Sequence, residues 1–590
     1  MVLDQMDFKQ KAEEKKMSMS KNIARLAVTA GLTAALSFGG VMAPITMAFA
    51  DDVAAPDNSI TITQNKDNGV TTFKAYQIFK ADVVDPTEAG ATDKIVSNVK
   101  WADGVDADAQ KAIIEAISDN ALKDGASPED VANWLTENVP GTTKTTRVDK
   151  DSVLNKIAKV VKDKVKPTGN SFNAGTAFEP KNADDTPNTG YYLFLTDDAS
   201  IGQVTENKKN TGTSPIFAVV GDNPVVVTEK TSIPTVNKEV LEGAKWGNVS
   251  DSYIGEEVEY KLTGFVADNI ATFNKYQYEF HDTLSKGLEA AGKSGNTPKD
   301  LHVYIDNKGN QTEIVQDDND GYKVVLERDS ATKKENLTIA FTDLKTVKDK
   351  TSKTIKVDAD SKVVVTYKAT LTSDAEYTAT GNTNDVELVY SNNPMTSDTG
   401  TSTSKRVTDH VFRLDVTKVE KDKQDQKLEA TFQVKMTKEG DTQLKANKWL
   451  TQTGGITDKE EEAGKFTTDK VTGKIYIPGL VAGTYEITEC NTPAGYNTLA
   501  PFTITVAPTY NNDGSLKSLD VTSSDTEMVT PNTTNDATIP VTIQNKKGSG
   551  LPLTGLNGVT FTWIAGGAVL CIGVAHLIRS RKQAEESEQE

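Results

Sequence analysis

Alternation of apolar and polar side chains dominates the chain from about residue 231 onward. Strands alternate faces, so such runs read as half-buried β-strands. Between 231 and 410 they are Val236–Leu241, Glu257–Leu262, Tyr276–His281, Val303–Ile305, Tyr322–Leu326, Leu337–Phe341, Val363–Leu371 and Val386–Tyr390, separated by turns rich in Gly, Asn and Asp. Phe412–Lys418, Ala430–Met436, Lys474–Ile477, Thr484–Glu489, Phe502–Val506 and Ile539–Asn545 repeat the signature over 411–547. The preceding block, 51–230, mixes periods. Strand patterns at Ser59–Gln64, Thr71–Phe79, Tyr191–Thr196 and Pro215–Val220 flank three helical ones. The helices are read at Ala109–Ile117, after the capping box Ser127–Asp130 with Pro128 at its first position, and through Val153–Val161. The fold class that follows is mainly β: an N-terminal mixed α+β domain, then two immunoglobulin-like β-sandwiches.

The alternation also aims polar groups inward. Lys418 continues the face of Leu414 and Val416, and Lys238 lies between Val236 and Val240. Asn545 continues Ile539, Val541 and Ile543, while Asn392 continues Val386, Leu388 and Tyr390. Glu489 shares a face with Tyr485 and Ile487, and Asp282 with Tyr276, Tyr278 and Phe280. An unpaired buried charge costs several kcal/mol, so each set needs a reason. Desolvation favours the neutral amine and the protonated acid. A neutral amine can attack a carboxamide while the acid shuttles protons to departing ammonia. The product is an intramolecular isopeptide bond, and the expected triads are Lys418–Glu489–Asn545 and Lys238–Asp282–Asn392. A plainer reading has the lysines snorkel at strand ends and the Asn residues sit in turns, because a one-residue register slip exchanges the faces.

The two ends carry targeting signals. Lys21 and Arg25 precede an apolar stretch from Leu26 to about Val41, and Ala48-Phe49-Ala50 offers a cleavage site. Residues 1–50 thus read as a signal peptide with a short upstream extension. Over 548–590, Leu551-Pro552-Leu553-Thr554-Gly555 precedes an apolar run from Leu556 to Ile578, then Arg579, Arg581 and Lys582. Such a run, at about 1.5 Å per helical residue, spans a bilayer core of about 30 Å. This arrangement resembles the cell-wall sorting signal of Gram-positive surface proteins. The resemblance implies a sortase that cuts between Thr554 and Gly555 and passes the Thr554 carbonyl to an amine, with attachment to peptidoglycan.

Several runs resemble sortase-assembled major pilins, the backbone subunits of Gram-positive fimbriae. Gly483–Tyr496 (GTYEITECNTPAGY) is similar to their E-box, and Val541–Lys547 (VTIQNKK) to their closing strand. Phe280–Leu284 (FHDTL), Leu388–Pro394 (LVYSNNP) and Thr72–Phe79 (TFKAYQIF) extend the likeness into the other blocks. The resemblance implies a CnaA-like middle domain, a CnaB-type C-terminal domain, and a secreted, wall-anchored subunit joined to identical subunits. It leaves Asn393 open beside Asn392. It also implies an exposed lysine near the end of the first domain that attacks the sortase thioester. Within Val225–Pro234 (VVVTEKTSIP) that residue is Lys230, with Lys208 and Lys209 as alternatives; the Tyr-Pro and Asn of the pilin motif are absent around it.

Composition narrows the rest. The 590 residues carry a formal net charge of −19, which disfavours nucleic acid as a partner. Four His and two Cys offer little for zinc, and Cys490 would be unpaired once the tail is removed, so no cofactor, metal or disulfide is expected. The run Gln316–Gly321 partly resembles a calcium loop, but Gln holds its first position and strands flank it, so it reads as a hairpin turn. His281 beside Asp282 lacks an accompanying nucleophile. Lys66, Lys74 and Lys80 are candidate donors for a cross-link in the first block, without a matching acceptor. The rival readings are a monomeric wall-anchored adhesin of similar domains and, more remotely, a wall-anchored hydrolase.

Overall fold

A computed structural model describes residues 55–548, apart from 86–93, 118–121, 124, 140–147, 206–207, 291, 295 and 440–444. The expected signal peptide and the LPLTG segment with its apolar run lie outside the described residues. Among those described, no helix is long and apolar enough to cross a membrane. The described residues are mostly β, with three α-helices among them, all in the first block.

In that block, Thr72–Val84 pairs with Gly190–Thr196, which pairs with Ile216–Val220, and Ile95–Trp101 closes the other edge. Helices Ala107–Ile117 and Val153–Lys164 lay Ile113, Ile114, Ile117, Leu154, Ile157 and Val161 on this sheet's core. The Pro128–Asn138 helix starts with a reciprocal cap: Ser127 Oγ accepts from Asp130 N, and Asp130 accepts from Ser127 N. A small second sheet sets Ile60–Thr63 between Ala177–Phe178 and Val225–Thr228. Val225–Thr228 is a strand as well, and its parallel pairing with Ile60–Thr63 holds the chain against the domain up to Glu229.

The middle block stacks two seven-stranded sheets over one continuous core. Val236–Glu242, Glu257–Phe265 and Ser361–Leu371 are neighbours in one sheet; Lys405–His410, Asn382–Ser391 and Tyr278–Leu284 are neighbours in the other. The strand over 386–390, which the alternation made the last of this block, is followed by Lys405–His410 and lies inside its sheet. The C-terminal block repeats the two-layer plan. Its first strand, Phe412–Glu420, runs parallel to its last, Thr538–Asn545, and the facing sheet contains Thr431–Glu439 and Gly483–Asn491. Polar ties cross both seams. Gly212 N donates to Asn392 O at 2.6 Å on one side, and Lys445 pairs with Glu256 at 2.9 Å on the other.

Candidate functional sites: buried lysine, carboxylate and asparagine

In the C-terminal sandwich, parallel pairing sets Lys418 beside Ile543 and two positions short of the partner of Asn545. Both residues face the interior and are wholly buried. Glu489 reaches them from the facing sheet. Its Oε1 is 3.1 Å from Lys418 Nζ, without the alignment of a hydrogen bond. Its Oε2 accepts from Asn545 Nδ2 at 3.0 Å, from Thr492 Oγ1 at 3.2 Å and from Leu499 N at 2.8 Å. Asn545 Nδ2 also donates to the Asn497 carbonyl at 2.7 Å, which fixes the amide orientation because a carbonyl only accepts. Phe432 walls the amine, its ring centre 5.2 Å from Nζ. Burial pulls the Lys418 pKa down to about 8, although Glu489 opposes the shift. About a tenth of the amine is thus neutral at pH 7.

The middle sandwich holds a related set with different wiring. Lys238 Nζ lies 2.5 Å from Asp282 Oδ1, across the two sheets, and neither side chain meets solvent. Burial pushes the Lys238 pKa down and that of Asp282 up, each partly offset by the other's charge. Tyr367, from the sheet that carries Lys238, donates to Asp282 Oδ2 at 2.6 Å and accepts from Asn384 Nδ2 at 2.6 Å. Its hydroxyl is 3.4 Å from Lys238 Nζ, and its ring stacks on Tyr260 with centres 5.5 Å apart. Asn384 is wholly buried and its Oδ1 has no hydrogen-bond partner.

Asn392, the sequence-predicted third member, is elsewhere. Asp282 pairs with Val386, so Asn392 stands six residues further along, ~20 Å at about 3.3 Å per residue. Asn393 is no nearer; its Nδ2 donates to Asp198 across the seam with the first block. The inward face of this strand continues in both directions from Val386, and Asn392 lies on its forward continuation. Followed backward from Val386, the same face selects Asn384.

Lys230 also departs from expectation. It is only 4% exposed, because its backbone is fastened on both sides: its N–H donates to Thr213 Oγ1 and its carbonyl accepts from Ser214 N. Burial lowers its pKa to about 8. Lys209 is exposed, on the short Val204–Thr205/Lys208–Lys209 hairpin. Lys66, Lys74 and Lys80 are paired with Asp67, Asp197 and Asp103, and none is buried.

A buried lysine that the sequence reading missed is Lys94, whose ammonium contacts both Asp85 oxygens and the Gly221 and Asn223 carbonyls at 2.7–3.0 Å. Cys490 is exposed, its Sγ 3.4 Å from the Thr431 carbonyl. At the former calcium-loop candidate, Asp317 Oδ1 accepts from Asn319 N and Asp320 N, the hydrogen bonding of a turn.

Residues 412–524 match a family model described as SpaA, prealbumin-like fold domain. Solved structures similar to the chain are Gram-positive pilus proteins. The T6 backbone pilin of serotype M6 Streptococcus pyogenes is 14% identical, covering 84% of this chain and 100% of its own, with a TM-score of 0.47. The major pilin SpaA of Corynebacterium diphtheriae is 14% identical over 83% of this chain and 100% of its own (TM-score 0.40). The group B streptococcus pilus 2b backbone protein is 22% identical over 54% and 99% (TM-score 0.36). No curated protein matches the chain in sequence.

Proposed function

We propose that the chain is a structural subunit of a covalently polymerised surface pilus, hardened by one isopeptide bond in each β-sandwich. The observation that carries this reading is the recurrence, in both sandwiches, of a buried lysine facing a carboxylate that leads, directly or through one hydroxyl, to a buried asparagine. The family match over 412–524 supports the same reading.

In each site the neutral amine attacks the asparagine carboxamide. The new C–N bond forms as ammonia leaves, and the carboxyl accepts the amine's surplus proton and returns one to the leaving nitrogen. The cross-links are Lys418–Asn545 and, replacing Asn392, Lys238–Asn384. Each bond ties the first strand of its sandwich to a strand more than a hundred residues away. In the C-terminal sandwich that strand is the last one, so tension passes through the bond and bypasses the hydrogen-bonded sheet.

Polymerisation would join Thr554 of one subunit to a lysine of the next by sortase, with the last subunit passed to peptidoglycan. Lys230 is the proposed acceptor. Its lowered pKa supplies neutral amine, and the segment at Thr213–Ser214 must move for a thioester to reach it. Lys209, already open to solvent, takes its place if that segment stays shut.

Intact mass of the mature chain tests the cross-links. Two bonds give a deficit of two ammonia masses, and peptide mapping should recover Lys238 joined to Asn384 and Lys418 joined to Asn545. A full, undiminished mass would end this reading. A monomeric adhesin would show the same deficit but no high-mass ladder on boiled denaturing gels of wall extracts; a pilus subunit gives the ladder, lost on Lys230→Ala.

A further inference from the structure

We propose that Tyr367 is a catalytic residue of the middle-domain condensation, relaying a proton between Asp282 and the departing nitrogen of Asn384. The inference rests on the reading of Lys238 and Asn384 as cross-link partners. Asp282 touches Lys238 through Oδ1, while its Oδ2 meets the Tyr367 hydroxyl. Asn384 Nδ2 is reached by that same hydroxyl, at 2.6 Å. The phenol closes a continuous path from amine to carboxyl to hydroxyl to carboxamide, all of it buried.

The protons balance along this path. Lys238, as the neutral amine, attacks Asn384 Cγ and forms the C–N bond, and the carbonyl π electrons move onto Oδ1. The attacking nitrogen, now cationic, passes one proton to Asp282 Oδ1. Nδ2 loses conjugation as the carbon becomes tetrahedral. It gains a basic lone pair, and its bond to Tyr367 reverses from donated to accepted. Tyr367 hands its proton to Nδ2 while a carboxyl proton of Asp282 replaces it. The Cγ–Nδ2 bond then breaks, the carbonyl re-forms and the protonated nitrogen departs as ammonia. Asp282 and Tyr367 end in the states in which they began, and no co-reactant is consumed. The neighbouring Tyr260 hydroxyl has no partner and lies outside this path.

The test uses the full mature chain, recovered unfolded before cross-linking and refolded, with ammonia loss followed by intact mass and assigned by peptide mapping. Tyr367→Phe should slow the middle-domain loss by about 100-fold, the scale of one general acid–base group, and leave the C-terminal loss unchanged. Tyr260→Phe should match the wild type. Asp282→Glu with Tyr367→Phe restores direct carboxyl contact with the carboxamide, and should regain at least about tenfold over Tyr367→Phe alone. Should Tyr367→Phe not refold, the wild type still decides. A two-proton relay gives a larger solvent deuterium effect at the middle site than at the C-terminal one, and equal effects overturn it. A Tyr367→Phe chain that cross-links at the wild-type rate also overturns the relay. It leaves the cross-link itself standing as long as Asp282→Ala abolishes the middle-domain loss. If Asp282→Ala keeps both losses, the underlying reading fails instead.

Discussion

The two sandwiches, on the cross-linking proposed above, would meet one chemical problem with carboxylates of different length. In the C-terminal domain the lysine and asparagine occupy adjacent parallel strands of one sheet, and Glu489 spans both from across the core. In the middle domain the lysine stands on one sheet while the carboxylate and asparagine share the other. Asp282 is one methylene shorter than a glutamate. It lies against the amine at 2.5 Å, and the Tyr367 hydroxyl fills the remaining gap to Asn384. What the two share is a desolvated chain of polar contacts from lysine to asparagine, and the proposed mechanism makes that chain a proton path built from different side chains.

The largest effects should come from removing the carboxyl. Glu489→Ala and Asp282→Ala each cancel one ammonia loss, because one acid–base group supplies about 10²–10⁴-fold in rate. The uncross-linked domain also loses the restriction on its unfolded chain. By the disulfide analogy, a loop of over a hundred residues is worth ~5 kcal/mol. Thermal unfolding of the two variants, watched domain by domain, should show this fall in the mutated domain only. A fall in both would mean that the domains do not unfold as separate units.

Shortening the acid is a finer cut. Glu489→Asp leaves the carboxyl short of Asn545, and the ring that walls the amine is Phe432, which has no hydroxyl to take the place of the Tyr367 phenol. Ammonia loss from the C-terminal domain should slow by ~10–100-fold, below the effect of full removal. An unchanged rate would show that reach is not what separates the two designs.

Next in size is pH. The Lys418 pKa lies at about 8 when folded, below its ordinary value of 10.5. Below that folded value the reactive neutral amine falls ~10-fold per pH unit. In a refolded chain the C-terminal condensation should therefore speed up from pH 6 to 8 and flatten above. The same depression makes burial of the ammonium a cost that is complete below pH 8 and relieved between about 8 and 10.5, where the unfolded chain binds more protons. Before cross-linking, stability should thus rise with pH over that window. A rate independent of pH between 6 and 8 would remove the amine's ionisation from the mechanism.

Much of this was legible in the chain. Period-two alternation found eight of the fourteen described strands of the middle sandwich and six of the twelve of the C-terminal one, because a sheet with one buried face writes its register into every second residue. It also turned Lys238, Lys418, Asp282, Glu489 and Asn545 inward, where the structure buries them. It failed where a strand carries little hydrophobic contrast. Asn382–Ser391 begins with polar residues whose inward members, Asn382 and Asn384, look like turn material, so the site was sought at the wrong end. Lys405–His410 reads polar for similar reasons although its last four residues are buried. Tyr367 could not be recognised, because an inward tyrosine on an apolar strand resembles any other core aromatic until its hydroxyl is seen between two polar groups. The burial of Lys230 goes with its backbone contacts to Thr213 and Ser214, distant in sequence and invisible to local pattern.

Lys94 supplies the smallest and most discriminating test. Like Lys238 and Lys418 it is buried, with 3% exposure, and it faces an aspartate. Unlike them it is saturated, its ammonium bound by Asp85 and two backbone carbonyls. Burial works to raise the Asp85 pKa, yet Lys94 and the Asn223 backbone hold it below its usual value, so the carboxylate facing Lys94 stays charged. An ammonium with every proton engaged has no lone pair, and burial alone therefore does not make a lysine a nucleophile. Lys94→Ala should leave the mass deficit at two ammonia units. Its cost should be local, about 2 kcal/mol for charged hydrogen bonds lost in the first block. Amide exchange in Ile95–Trp101 would then accelerate by ~30-fold while both sandwiches stay protected. A deficit reduced by one ammonia would place Lys94 among the cross-linking lysines, and the contrast between saturated and incompletely bonded amines would have to be abandoned.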